Sequence, residues 1–235
     1  MSDQVEFNGF TDQSLKFLTA LGFHQSREWF HENKKLYETA IKAPMGDLVE
    51  AATTRFAEMD IPLKGTRKTS MFKVNRDVRF SKNKDPYNTH ASAVLTRNGT
   101  KKDGSGTYMH FTPGKCFFAA GVWLPESKEL RALREAIVAR RDEFLTIEKD
   151  LNDKGLVFNT DTALKRVPPA FKDTEDEELR RLLRQKSFIV ERMVSDKAIE
   201  SPALINKFAE LTTEAMPLLT FCWRAMDPVR ELNDG

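Results

Sequence analysis

Apolar positions in the first quarter of the chain recur three and four apart, the spacing of a helix with one buried face. Thr11 is placed to cap a helix carrying Leu15, Phe17, Leu18 and Leu21, and Gly22 to end it. Ser26 is placed to cap a second, in which Trp29, Asn33, Leu36, Tyr37 and Ile41 share a spacing. Trp29 is expected in the core. A third helix is predicted after Pro44, with Leu48, Val49, Ala52, Phe56 and Met59 on one side. Pro62 and Gly65 break the pattern.

Near residue 71 the period changes from helical to alternating. Phe72, Val74 and Arg76 alternate with Met71, Lys73 and Asn75, which predicts a strand running on through Arg79. Ala91 to Arg97 reads as a second strand, and residues 98–106 (NGTKKDGSG) as a polar hairpin loop exposing Lys101 and Lys102. Thr107 to Thr112 and Cys116 to Leu124 follow as two more strands, joined by the turn Pro113-Gly114.

Helical spacing returns after Pro125. Ser127 is a good cap, with Leu130, Leu133, Ile137, Val138 and Phe144 on one face. Residues 155–171 read as a loop containing Pro168-Pro169. Thr174 with Glu177 forms a capping box before Leu179, Leu182 and Leu183. Residues 187–194 are a candidate further strand. Ser201-Pro202 starts a last helix carrying Leu204, Ile205, Phe208, Leu211, Leu218, Leu219 and Trp223, with Pro217 as a potential kink. Helices, then strands, then helices predict an α+β fold. A mostly antiparallel central sheet, about residues 71–123 with 187–194 as a candidate addition, is flanked by N- and C-terminal helices. No Gly-, Ser- or Pro-rich linker divides the chain, so a single domain over 1–235 is expected.

Composition narrows the classes. Of 235 residues 40% are apolar and 31% charged, an ordinary globular balance, and the formal net charge of +2 puts any attraction for anions down to local clustering. Cys116 and Cys222 show no CxxC or Cys/His spacing, which predicts two buried thiols in a reducing compartment. The segment MSDQVEFNGF has no basic stretch before an apolar run, so no secretory signal is expected, nor any membrane span. A soluble, cytoplasmic protein is the expectation. No metal site, nucleotide loop or other cofactor motif is seen: GTRKTS at 65–70 lacks the order of a phosphate loop.

The chemistry concentrates in residues 71–90. Lys73, Arg76, Arg79, Lys82 and Lys84 are opposed there only by Asp77 and Asp85. On a strand, Asp77 and Arg79 share a face and Arg76 lies opposite. Asp77 then orients Arg79, whose planar donors suit phosphate or carboxylate. Lys82 and Lys84 follow where the strand gives way to a loop, Tyr87 is placed to stack on or hydrogen-bond a ligand, and Asp85-Pro86 sets a turn. An ion-pair network fastening the loop explains the same residues. Glu28, beside Trp29, is a further candidate to complete that network. His90 and His110 flank Tyr108 in neighbouring strands and are the candidate acid–base residues, in a pocket with Arg76 or Arg79. His24 and His31 read as boundary residues. Lys165, Arg166, Arg180, Arg181, Arg184 and Lys186 read as a solvated face of mixed charge with Glu177 and Glu178. Nothing matches a sequence-specific nucleic-acid motif.

The run RDVRFSKNKDPY resembles the signature RDxRFSKDKxPYK of a widespread bacterial family of conserved hypothetical proteins, a domain of unknown function. Other landmarks are similar in order: REWF at 27–30, Tyr108, GVWLP at 121–125, LRALREAI at 130–137, LKRVPPAF at 164–171 and LLRQKSF at 182–188. Asn83 replaces an acid of that pattern, Asn88 a lysine, and VPPAF lacks its glycine. The resemblance implies no established activity. It marks residues 76–87 as a unit.

Three classes remain open. The first is a domain binding a phosphorylated or other anionic small molecule through Arg76, Arg79, Lys82, Lys84 and Tyr87. The second is a hydrolase or transferase acting on a nucleotide-like or phosphoester substrate, with His90 or His110 as acid–base. The third is a protein-interaction module in which the motif is structural.

Overall fold

The computed structural model describes residues 6–231, and the fold is α+β. Four strands, β1 (Ala91–Thr96), β2 (Ser105–Phe111), β3 (Cys116–Val122) and β4 (Phe188–Val194), pair antiparallel in the order β1-β2-β3-β4. The chain divides into two compact units. One takes the residues up to Asp103 with Thr107–Phe118 and Arg192–Leu211; the other takes Gly104–Gly106, Ala119–Glu191 and the chain from Thr212.

The first unit begins with α1 (Asp12–Phe23), whose N-cap is Thr11, and α2 (Arg27–Glu32), where the Ser26 hydroxyl accepts from the Trp29 amide. Next, α3 (Lys34–Tyr37) and α4 (Ala43–Glu58) are joined without a break by a π-helical turn over Glu38–Lys42. Pro44 therefore starts no helix. It sits one residue inside α4, where the wider turn accommodates a residue lacking an N–H. The carbonyl four residues back, that of Ala40, accepts from the buried Ser14 hydroxyl of α1 at 2.6 Å. A side chain from one helix thus satisfies the acceptor that proline leaves open in another. Leu18, Leu21, Leu48 and Phe56 are fully or nearly fully buried in this unit, and Phe56 packs on Phe208 and Phe208 on Phe118. Trp29 is only half-buried, tilted against Phe17 and stacked on His24.

Alternation along the strands separates two faces. Ala93, Leu95, Met109, Phe111 and Phe118 are buried in the core. The opposite face carries His90, Ser92, Tyr108, His110 and Phe117.

The expected strand from residue 71 through 79 does not form. A short helix, α5 (Arg67–Ser70), ends there, and pairing is limited to isolated antiparallel bridges, Met71 to Ala93 and Asn75 to Tyr87. The chain folds back on itself instead: the Arg76 amide donates to the Pro86 carbonyl at 2.8 Å and the Asn88 amide to Val74 at 2.7 Å. Val74 and Tyr87 are buried while Phe72 and Phe80 are exposed, and beyond Phe72 the segment leaves β1 and pairs with its own continuation.

The second unit holds α6 (Ser127–Ala139), α7 (Arg141–Asp153) and α8 (Glu177–Leu183). Glu126 rather than Ser127 is the N-cap of α6, and Asp176 rather than Thr174 caps α8, accepting from the Glu178 and Leu179 amides. Phe144 gathers Phe158, Phe188 and Phe221 around itself. Gly121 (φ +134) lies where an added Cβ would meet the Phe188 carbonyl oxygen at 2.0 Å. The last helix, α9 (Leu204–Glu231), runs through Pro217 and Pro228. It starts three residues after Ser201, whose hydroxyl accepts from the Ala203 amide. Among the described residues no helix is long and apolar enough to cross a membrane. Both cysteines are free and buried.

Candidate functional site

A cleft of about 640 Å³ opens in the first unit. Its floor is the outer face of β1 and β2, and its rim is the folded-back segment after α5 together with the β1–β2 loop. Alternation puts Ser92 and Tyr108 on that face, with His90 just before β1. The rim contributes Phe72, Lys73, Arg76, Asp77 and Asn88, and Lys101 reaches in from the hairpin loop.

The floor is aromatic and closely coupled. His90 stacks on His110 with ring centroids 4.4 Å apart, and His110 stacks on Phe117 at 4.8 Å. The Tyr108 hydroxyl lies 3.0 Å from His110 Nδ1. Burial depresses the His90 pKa. Burial, aided by His90 and Lys115, carries that of His110 down to about 4. Burial also raises the Tyr108 pKa against a hydrogen bond with Ser92. At neutral pH His110 is therefore uncharged. The Tyr108 hydroxyl and His110 Nδ1 share a hydrogen bond whose donor is set by the imidazole tautomer. The floor is a neutral, polar surface of flat rings.

The rim is cationic. Lys73 is exposed, and its ammonium makes no hydrogen bond or ion pair with a described residue. Lys101 Nζ donates to the Met71 carbonyl at 2.7 Å and lies 5.6 Å from the Phe72 ring centroid. Arg76 donates to the Asp85 carbonyl at 3.0 Å and to Ser81 Oγ at 3.4 Å, which ties the 77–85 loop to the cleft wall. Asp77 is the carboxylate among the lining residues, and Arg79 grips it, Nε to Oδ1 at 3.0 Å and NH2 to Oδ2 at 2.7 Å. That contact lowers the Asp77 pKa and raises that of Arg79. The Asp77 charge is thus largely matched before any ligand arrives, and Lys73, Arg76 and Lys101 set the sign of the cleft.

Of the residues singled out in the sequence, the structure brings Lys73, Arg76, Asp77, His90 and Tyr108 to the cleft, with His110 behind His90. Arg79, Lys82 and Lys84 stand outside it on the adjoining loop, where Lys84 Nζ donates to the Val78 carbonyl at 3.0 Å. Tyr87 is buried at 5% exposure and stacks on Phe30 with centroids 4.4 Å apart, and its amide donates to Gln25 Oε1. Its ring fastens the motif to α2. Glu28 is exposed on α2, and no ion pair among the described residues joins it to the arginines. Lys73 belongs to the basic cluster read from the sequence but not to its ligand-binding set, and Phe72, Ser92 and Lys101 were not singled out as site residues. Lys101 had no signal beyond its place in a hairpin loop, since only the fold shows which way that loop leans. Among the described residues no group of three or more His, Cys, Asp or Glu is arranged to hold a metal ion.

The second unit holds a different charge arrangement. Arg181 pairs with the buried Glu148 through two hydrogen bonds, 2.8 and 2.6 Å, and Arg141 with Asp176 and Glu178. These basic residues are engaged in holding α7 to α8.

The family model described as a conserved hypothetical protein (DUF2461) matches residues 13–221, and the chain belongs to that family. No curated protein and no solved structure matches the chain.

Proposed function

We propose that this DUF2461 chain binds a small anionic molecule, a phosphate or carboxylate attached to a flat ring, in the cleft between β1–β2 and the 71–90 segment. The observation that carries the reading is the convergence of Lys73, Arg76 and Lys101 over a neutral floor of His90, Tyr108 and Ser92. Cations around a concave, partly dry surface concentrate anions even when the net charge of the molecule is small. Lys73 and Lys101 supply point charges, and the remaining N–H groups of Arg76 supply planar donors. The rings supply a stacking surface.

The test is thermal melting with pyrophosphate, sugar phosphates and nucleoside monophosphates, for the wild type and for Lys73→Ala/Lys101→Ala. A ligand that binds only the folded state raises its stability. The expected result is stabilisation by at least one ring-bearing phosphate, lost in the double variant. Equal stabilisation of both proteins would place the anion elsewhere.

A second reading, turnover of a phosphoester, is favoured by the stacked pair of neutral imidazoles at the floor, His90 lining the cleft and His110 behind it in contact with Tyr108. Release of phosphate from the bound compound, abolished in His90→Gln or His110→Gln, separates turnover from binding.

A further inference from the structure

The most exposed large apolar side chain of the described residues is Phe80, at 96% exposure. It stands on the loop that rises from the cleft wall. Its two neighbours in sequence are both tied to cleft residues, Arg79 to Asp77 and Ser81 to Arg76. The Arg79 guanidinium carbon lies 5.9 Å from the Phe80 ring centroid, and the rest of the ring faces solvent. Among the described residues, Lys82 makes no ion pair with a carboxylate, and the Lys84 ammonium is engaged by the backbone carbonyls of Val78 and Arg79. Asp85 is the loop's other carboxylate and makes no ion pair with a described residue. Cations thus continue from the cleft, through Lys73, Arg76 and Lys101, onto the loop with Lys82 and Lys84. In sequence, the open Phe80 ring stands between Arg76 on the cleft side and Lys82 on the loop.

We propose that the cleft anion is one phosphate of a single-stranded nucleic acid whose neighbouring phosphates lie along Lys82 and Lys84 and one of whose bases stacks on Phe80. The inference rests on the anion-binding reading of the cleft and extends it to a polymer. A row of cations interrupted by an open aromatic ring fits a chain that alternates phosphates with flat bases. A duplex hides its base faces and leaves Phe80 without a partner. A membrane surface calls for a broad apolar face, whereas the four residues after Phe80, Ser81, Lys82, Asn83 and Lys84, are all polar. Binding of this kind reads no particular sequence, in keeping with the lack of a base-reading motif.

The test compares oligothymidylate of about ten nucleotides, within the usual span of such sites, with thymidine 5′-monophosphate. Both are titrated by calorimetry into wild type, Phe80→Ala, Phe80→Trp and Lys82→Ala. Because the Phe80 ring is in solvent, these variants keep the fold, which circular dichroism checks. The oligomer is expected to bind about tenfold or more tighter than the monophosphate, and Phe80→Ala to cost the oligomer about five- to a hundredfold, the worth of one stacked base. Monophosphate affinity is unchanged in Phe80→Ala. Phe80→Trp retains oligomer binding, and its fluorescence is quenched on addition of the oligomer. Lys82→Ala lowers the slope of log affinity against log salt by about 0.7, one phosphate contact on a single strand. Equal affinity for the two probes, or an oligomer affinity unchanged in Phe80→Ala, overturns the inference and leaves the small-anion reading standing. Failure of both probes overturns both. Tighter binding of a duplex than of the single strand, or Phe80-dependent binding to phosphatidylserine vesicles, overturns it in favour of that other occupant.

Discussion

Replacing Tyr87 by alanine separates two roles for the charged motif, contact with ligand and fastening to the fold. The ring is 5% exposed and stacked on Phe30. A tyrosine in that position removes roughly 150–250 Å² from water, which at about 25 cal/mol per Å² amounts to roughly 4–6 kcal/mol as an upper bound. A denatured chain that already buries part of its surface trims the figure to about 3–4 kcal/mol, in line with aromatic-to-alanine losses in cores of about 3–5 kcal/mol. Tyr87→Phe keeps the ring and is expected to fall within about 0.5 kcal/mol of wild type. Urea denaturation followed by far-ultraviolet circular dichroism reads both, with the slope held constant so that midpoints compare directly. If Tyr87→Ala leaves the midpoint unchanged while abolishing ligand binding, the ring is a ligand contact and the fastening argument is wrong.

Three further outcomes follow from the same structure. Ser14→Ala leaves the buried Ala40 carbonyl without its donor, and chemical denaturation should show a loss of about 1–3 kcal/mol. Gly121→Ala combines a φ of +134 with a Cβ only 2.0 Å from the Phe188 carbonyl oxygen, whereas Gly114→Ala has φ +74 and nothing within 4 Å. Thermal melts should show Gly114→Ala losing about 1–2 kcal/mol and Gly121→Ala more than about 4 kcal/mol. His110 takes up its proton near pH 4 when folded but near 6.5 when unfolded. Above 6.5 neither state binds the proton and the ring adds no pH dependence. As pH falls from 6.5 towards 4 the unfolded chain binds the proton first, so stability is lost across that window. Denaturation midpoints against pH should fall there, and His110→Phe, which retains a stacking ring, should flatten the curve.

Much of the fold is legible wherever local chemistry and packing agree. The Thr11 and Ser26 caps, the strand from Ala91 and the hairpin loop after it all depend on near neighbours, and the structure has them. Pro44 misleads because its usual meaning, a helix start, is reversed by a distant hydroxyl: Ser14 supplies the missing donor and the helix passes through. The 71–79 segment misleads because alternation reports that a pattern exists, not which partner completes it. Val74 and Tyr87 turn inward together, and the backbone of 74–76 pairs with 86–88 rather than along β1. For the candidate site, period two on β2 brings Tyr108 and His110 to one face, and the sequence already shows that. Lys101 and Lys73 were not legible as a pair, because they meet only after a hairpin loop and a folded-back segment converge. The separation of Arg79, Lys82 and Lys84 from the cleft was equally hidden, since it depends on a loop held by Arg76 and Lys84 contacts to carbonyl groups.

Histidine resonances report directly on binding in the cleft over His90 and Tyr108. The chain has 4 histidines: His90 and His110 at the floor, and His24 and His31 on the N-terminal helical segment. Imidazole NMR spectra are recorded while thymidine 5′-monophosphate is added to wild type and to Lys73→Ala/Lys101→Ala. Saturable shifts of the His90 and His110 signals are expected, with His24 and His31 unmoved and the shifts lost in the double variant. Stationary His90 and His110 signals in a sample where calorimetry shows the nucleotide bound would contradict binding in the cleft.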